Sequence, residues 1–142
     1  MTYRLIKHID DEDIPLINSV YRLPLISRFI SINETNYWKY VTGTYNVWFY
    51  KIFENNCLVA TIHLELSNRV LYMDIVVFPE YHNNRIATRV LNDIIEQKLF
   101  IDFDKIRVSI DEENVASLKL FENAGFICVG QDEELREYEY IV

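Results

Sequence analysis

Asp74 stands inside an otherwise apolar run, Leu71 to Phe78. Burying a carboxylate in such a strand is costly, so the residue has either a partner or a purpose. Its chemical use is that of a general base, accepting a proton from a reacting group. The alternative is a hydrogen-bonded carboxylate that fixes a loop or a neighbouring strand. His63 and Glu65, on the preceding strand, are reserve candidates for the same task. Two-residue alternation puts them on one face, where both are expected to be exposed to solvent. His8 reads as a surface residue. Tyr37, Trp38 and Tyr40 form an aromatic stripe that either walls a pocket or packs in the core.

A second segment suits an anion. Pro79-Glu80-Tyr81 ends the apolar strand, His82-Asn83-Asn84-Arg85 follows, and a helical pattern starts at Ile86. The first amides of a helix lack intrahelical acceptors and sit at the positive end of its dipole, which favours phosphate. The polar run adds side-chain donors and one cation. An exposed polar turn with a helix cap explains the same residues equally well.

These residues are positioned by an alternation of strands and helices. Tyr3 to Ile9 reads as a strand, with Asp10 and Asp11 as caps for the helix behind it. Ile14, Ile17 and Tyr21, then Leu25, Ile26, Phe29 and Ile30, keep helical spacing, and Pro24 divides them into two short helices. Asn33 to Thr44 is irregular or one short helix. Val47 to Phe53, Leu58 to Leu66 and Val70 to Phe78 are strands, and the short loops between them make antiparallel neighbours. Ala87, Val90, Leu91, Ile94 and Ile95 mark an amphipathic helix reaching about Leu99. Ile106 to Ile110 is a strand. Asn114 to Ala124 is a helix with Leu118 and Phe121 inward and Gly125 as its left-handed stop. Phe126 to Val129 and Leu135 to Ile141 close the sheet. The strand-helix-strand crossover near the centre implies an α/β mixture.

The 142 residues suit one domain, residues 1–142, and half of them are hydrophobic. The formal charge is −8, from 22 acidic and 14 basic residues, so no basic face for nucleic acid is expected. The acidity permits a cationic acceptor such as an amine, though surface carboxylates also serve solubility. Cys57 and Cys128 fall in apolar runs without metal-ligand spacing and read as buried thiols, with no metal expected. No signal peptide or membrane span is recognisable, which implies a soluble, cytoplasmic protein. No Gly-rich dinucleotide-binding or P-loop pattern occurs.

Val76-Val77-Phe78-Pro79-Glu80-Tyr81-His82-Asn83-Asn84-Arg85-Ile86-Ala87-Thr88 resembles the acetyl-CoA-binding segment of the GNAT superfamily of N-acetyltransferases. That pattern is a strand ending V-x-P-x-Y/F followed by Q/R-x-x-G-x-G/A at a helix start. Asn114 to Phe126 resembles the family's N-x-x-A/S-x-x-L-Y/F-x-K-x-G-F element. The two lie in register, with one helix and one strand between them.

The resemblance implies a mixed, mostly antiparallel sheet of about six to seven strands flanked by helices, in the order β-α-α-β-β-β-α-β-α-β-β. It implies transfer of an acetyl group from acetyl-CoA to a primary amine of a small molecule or protein, by direct attack in a ternary complex. The strand at Val76 and Val77 would splay and offer backbone groups to the pantetheine. His82, Asn83, Asn84, Arg85, Ile86, Ala87 and Thr88 would wrap the pyrophosphate. Asn114 would bond near the pantetheine arm, and Phe121 would lie beside the thioester. The place of Asp74 matches acidic residues found near the family's acceptor site. Two departures stand out. Arg85 replaces the usual glycine, so the loop is expected to take a different shape. Phe121 replaces the tyrosine that often protonates the departing thiolate. These departures keep open a CoA-binding regulatory module of the same fold with weak or no catalysis. A homodimer is equally compatible with the sequence.

Overall fold

The computed structural model describes all residues, Met1–Val142. Strand β1 (Thr2–Leu5) leads into helices α1 (Ile14–Tyr21), α2 (Pro24–Ser27) and α3 (Tyr37–Gly43). Strands β2 (Val47–Glu54), β3 (Cys57–Ser67) and β4 (Val70–Val77) follow. A 3₁₀ turn at Pro79–Tyr81 precedes α4 (Ile86–Ile95), then come β5 (Lys105–Asp111), α5 (Val115–Asn123), β6 (Ile127–Asp132) and β7 (Leu135–Ile141). The seven strands form one sheet in the order β1-β2-β3-β4-β5-β7-β6. Every pairing is antiparallel except β4 with β5, the crossover expected from the alternation of periods.

Several element ends differ from the sequence pattern. Strand β1 stops at Leu5, and beyond it Ile6 alone donates its amide to Phe49. Asp10 and Asp11 do not cap α1. Its N-cap is Asp13, which makes no side-chain cap bond, while Asp11 accepts from the Asp13 amide and from Lys51. Lys51 also reaches Asp13 at 2.8 Å, so a largely covered ion triad pins the entry of α1 to β2. Helix α4 ends at Ile95 rather than near Leu99. Both cysteines are exposed rather than buried. Cys57 opens β3 at a turn, and Cys128 lies on β6, an edge strand exposed along its whole length.

The core has two layers, one on each face of the sheet. Helices α4 and α5 bury Ile86, Val90, Leu91, Ile94, Leu118 and Phe121 against Ile62, Leu64, Leu71, Met73, Ile106 and Val108. Helices α1, α2 and α3 bury Ile14, Ile17, Val20, Ile26, Trp38 and Val41 against Val47, Phe49, Val76 and Phe78. The period-2 alternation of β4 therefore sends Leu71 and Met73 to one layer and Tyr72, Asp74 and Val76 to the other.

Helix α5 stops as its sequence predicts. Gly125 takes φ 96°, the Gly125 amide reaches Glu122, and the Phe126 amide reaches back to Phe121. The flanking rings of Phe121 and Phe126 pack edge to face at 5.0 Å, the apolar contact that accompanies such a stop.

Candidate active site

Strand β4 outruns its parallel partner. Pairing with β5 covers Val70 to Tyr72 only, against Lys105 to Arg107. Past that point β4 stays with β3 as far as Val77, while β5 stays with β7 along its full length. The two strands therefore part, and the sheet opens between them. The Phe78 amide donates to Val59 on the β3 side. Because backbone groups alternate along a strand, those of Val77 and Ile75 point into the gap, and those of Val76 point to β3.

A cavity of about 660 Å³ fills the gap, bounded by α4 and α5 on one face of the sheet and by the α2 region on the other. Its walls include Ile75, Val76 and Val77 of β4, Phe121 of α5, and Leu25 and Phe29 of the α2 region. His82, Asn83, Arg85, Ile86, Ala87, Thr88 and Asn114, nominated from the sequence, line it as well. Asn84 does not line it, and its carbonyl accepts from Arg89. No side chain caps the start of α4, so the Ile86, Ala87 and Thr88 amides are free donors at the cavity edge.

Arg85 occupies the N-cap of α4 with φ 56° and ψ 24°. This is the left-handed conformation that a glycine would adopt without strain. Arg85 therefore holds a backbone conformation that favours glycine. Its exposed guanidinium has no carboxylate partner, whereas neighbouring Arg89 is held by Glu54 at 2.7 Å. His82 turns back along the chain, its Nε2 bonding the Val77 carbonyl at 2.8 Å. A carbonyl only accepts, so that nitrogen carries the proton. Asn114 caps α5 through its Oδ1, which accepts from the Ser117 amide at 3.3 Å.

The opposite face of β4 borders a second cavity of about 340 Å³. His63 and Glu65 of β3, Tyr72 and Asp74 of β4, and Arg107 and Ser109 of β5 line it. Asp74 is the cross-strand neighbour of His63, and Tyr72 that of Glu65. Asp74 opens to solvent on the cavity side, and its carboxylate makes no hydrogen bond to any side chain. The protein around the rest of the group raises its pKa above the ordinary carboxylate value. His63 opposes that rise and Glu65 adds to it.

His63 is not the exposed residue expected from alternation. Its side chain is only 13% accessible, because α3 covers it. Tyr37 bonds His63 Nδ1, and His63 Nε2 lies 2.8 Å from Glu65 Oε1. Glu65 can only accept, so Nε2 carries a proton. Burial raises the Tyr37 pKa, with Tyr21 and Asp74 adding to the effect, and keeps that hydroxyl protonated. Tyr40 donates to the same Glu65 Oε1 at 2.7 Å. The aromatic stripe thus divides. Tyr37 and Tyr40 support the cavity, while Trp38 is core, its ring against Phe49 and its Nε1 bonded to Asn18.

Tyr72, Arg107, Ser109 and Ile75 were not singled out in the sequence. Tyr72 had a signal, since it lies two residues from Asp74 and so shares its face. Arg107 and Ser109 had none, because their place depends on which strand pairs with β4.

The sequence profile of the acetyltransferase (GNAT) family matches residues 17–126. No curated protein sequence matches the chain. Among solved structures, a domain from Methanocaldococcus jannaschii is similar with a TM-score of 0.82 at 21% identity, over 99% of this chain and 97% of that one. The Campylobacter jejuni N-acetyltransferase PseH in complex with acetyl coenzyme A matches with a TM-score of 0.77 at 13% identity, over 99% of both chains. Spermidine N-acetyltransferase from Vibrio cholerae in complex with CoA and spermine matches at 0.81 and 16% identity, over 99% of this chain and 94% of that one. Identities this low show a shared fold.

Proposed function

This chain belongs to the acetyltransferase (GNAT) family, and from that premise we propose that it transfers an acetyl group from acetyl-CoA to a primary amine of a small molecule or protein. The observation that carries the reading is the parting of β4 from β5, which opens a cavity running to the uncapped start of α4. In this reading the pantetheine lies along the gap-facing backbone of Ile75 and Val77. Val76 supplies apolar floor rather than hydrogen bonds. The pyrophosphate meets the Ile86, Ala87 and Thr88 amides, with Asn83 and the Arg85 guanidinium beside it. His82 holds the strand end in place, and Asn114 orders the start of α5 next to the pantetheine arm. The binding of acetyl-CoA by PseH and of CoA by the spermidine acetyltransferase is consistent with this placement.

The acceptor amine enters from the second cavity. Asp74 takes one proton from its ammonium form, and the neutral nitrogen attacks the thioester carbonyl. A raised pKa makes a carboxylate a better base near neutral pH than an ordinary aspartate. The nitrogen–carbon bond forms, the carbon–sulfur bond breaks, and the amide nitrogen loses its second proton. Phe121 has no proton to give, so water relays that second proton to the departing thiolate. The chain binds the two substrates together, and no covalent enzyme intermediate is needed.

The same Phe121 supports a second reading, a CoA-binding regulatory module of this fold with weak or no catalysis. One experiment separates the two. Acetyl-CoA is incubated with the protein and a panel of primary amines, and products are followed by mass spectrometry. Acetylated amine formed in proportion to enzyme supports transfer. Binding of acetyl-CoA without any acetylated product would favour the regulatory module.

A further inference from the structure

The second cavity holds two carboxylates, Asp74 and Glu65, and no lysine or arginine pairs with either. Asp74 has no side-chain partner. Glu65 receives two donors, His63 Nε2 and the Tyr40 hydroxyl, and both go to Oε1. Both donors meet one oxygen, so they fix the direction of the carboxylate and leave Oε2 open. Beside Glu65, across the strand pair, stands Tyr72, exposed on the same face. A carboxylate next to an aromatic ring attracts an ammonium by two means, charge and the ring's negative face.

The other wall does not offset this. Arg107 is held by Glu139 at 3.3 Å and approached by Glu137 at 3.7 Å, while Ser109 also bonds Glu137. Lys105 pairs with Glu139 at 3.2 Å. Two cations and two anions on that side cancel, which leaves Asp74 and Glu65 as the net charge of the cavity.

We infer that Glu65, with Tyr72, binds a second ammonium group, so that the preferred acceptor is a linear diamine rather than a monoamine. The inference rests on the proposed acetyl transfer and names the substrate class for that same site. Asp74 and Glu65 are diagonal neighbours on antiparallel strands, about 7–8 Å apart. Four or five methylenes separate two nitrogens by about 6–7.5 Å when extended. One amine then loses its proton at Asp74, while the other stays charged against Glu65 Oε2 and the Tyr72 ring. Glu65 acts on specificity and takes no part in the acetyl-transfer step itself.

The test is kcat/KM for α,ω-diamines of two to eight methylenes against alkyl monoamines of equal length, with acetyl-CoA as donor. The expected result is a maximum at four or five methylenes. There the diamine should exceed the monoamine by roughly ten- to hundredfold, the range of one charge-assisted hydrogen bond. In Glu65→Gln that ratio should collapse toward one. The wild-type series stands alone if the variant does not fold. Monoamines acetylated as well as diamines in the wild type would overturn the inference and leave the acetyl-transfer reading intact. Acetyl-CoA binding without turnover of any amine would overturn both.

Discussion

Strand β4 has two sides built by different means. Where β4 parts from β5, the candidate donor site is mostly backbone: gap-facing groups of Ile75 and Val77, and free amides of Ile86, Ala87 and Thr88. On the other side, the candidate acceptor site is made of side chains, Asp74, Glu65, His63 and Tyr72, supported by Tyr37 and Tyr40. A backbone site depends on chain geometry and tolerates many side chains. A side-chain site depends on particular atoms, so single substitutions there should cut function sharply.

Asp74 should give the largest effect. Asp74→Asn keeps shape but removes basicity, so turnover should fall by about 10²–10⁴ while acetyl-CoA affinity survives. The deficit should shrink as pH rises and more acceptor amine is already neutral. Stability carries the opposite sign from a structural role. The folded pKa of Asp74 is raised, so between the ordinary carboxylate value and that raised value the folded chain holds more proton than the unfolded one. Asp74 therefore lowers stability as pH climbs through this window, and the penalty is fully present above it. Asp74→Asn should melt higher than wild type at neutral pH and match it in acid below the ordinary carboxylate range. A variant that melts lower at neutral pH, with normal turnover in what stays folded, would make Asp74 structural.

The donor side should respond more weakly to a single change. Arg85→Ala should weaken acetyl-CoA binding by about 1.5–3 kcal/mol by calorimetry, the scale of one charge-assisted hydrogen bond. Unchanged affinity would leave binding to the helix-start amides and sharpen the contrast between the two sides. Dephospho-CoA would then show whether the arginine reaches the 3′-phosphate, since it lacks that group alone.

The smallest effect concerns the same residue's backbone. Arg85→Gly should lose the same affinity as Arg85→Ala but raise unfolding stability by about 0.5–1 kcal/mol over wild type, because glycine adopts a positive φ without strain. Denaturant melts of the two variants measure this, and Gly no more stable than Ala would argue against left-handed strain at this position.

The same contrast governs what the sequence discloses. A helix start after a strand end, a left-handed stop at Gly125 and the alternation of periods are local features, so the order of elements, and with it the place of the candidate donor segment, could be read directly. The parting of β4 from β5 was expected only from the family resemblance, since the residue pattern of neither strand marks where β5 turns toward β7. Arg107 and Ser109 were invisible for that reason. His63 and Glu65 showed their shared face but not their cover, since α3 returns over β3 from residues distant in sequence. Trp38 and Tyr37 are adjacent and equally aromatic, and only the packing of α3 separates core from site. Arg85 hid its backbone: nothing in its residue type marks the left-handed conformation it takes.

The claim that both substrates meet across β4 is tested most directly by calorimetric titration with CoA carrying a butylamino group joined to its sulfur through an acetyl bridge. Such a probe fills both cavities at once only if they connect through the gap between β4 and β5. The account predicts one site per chain and binding tighter than that of CoA by about tenfold or more, since the second contact becomes intramolecular. An affinity equal to that of CoA alone, unchanged by Asp74→Asn, would contradict it.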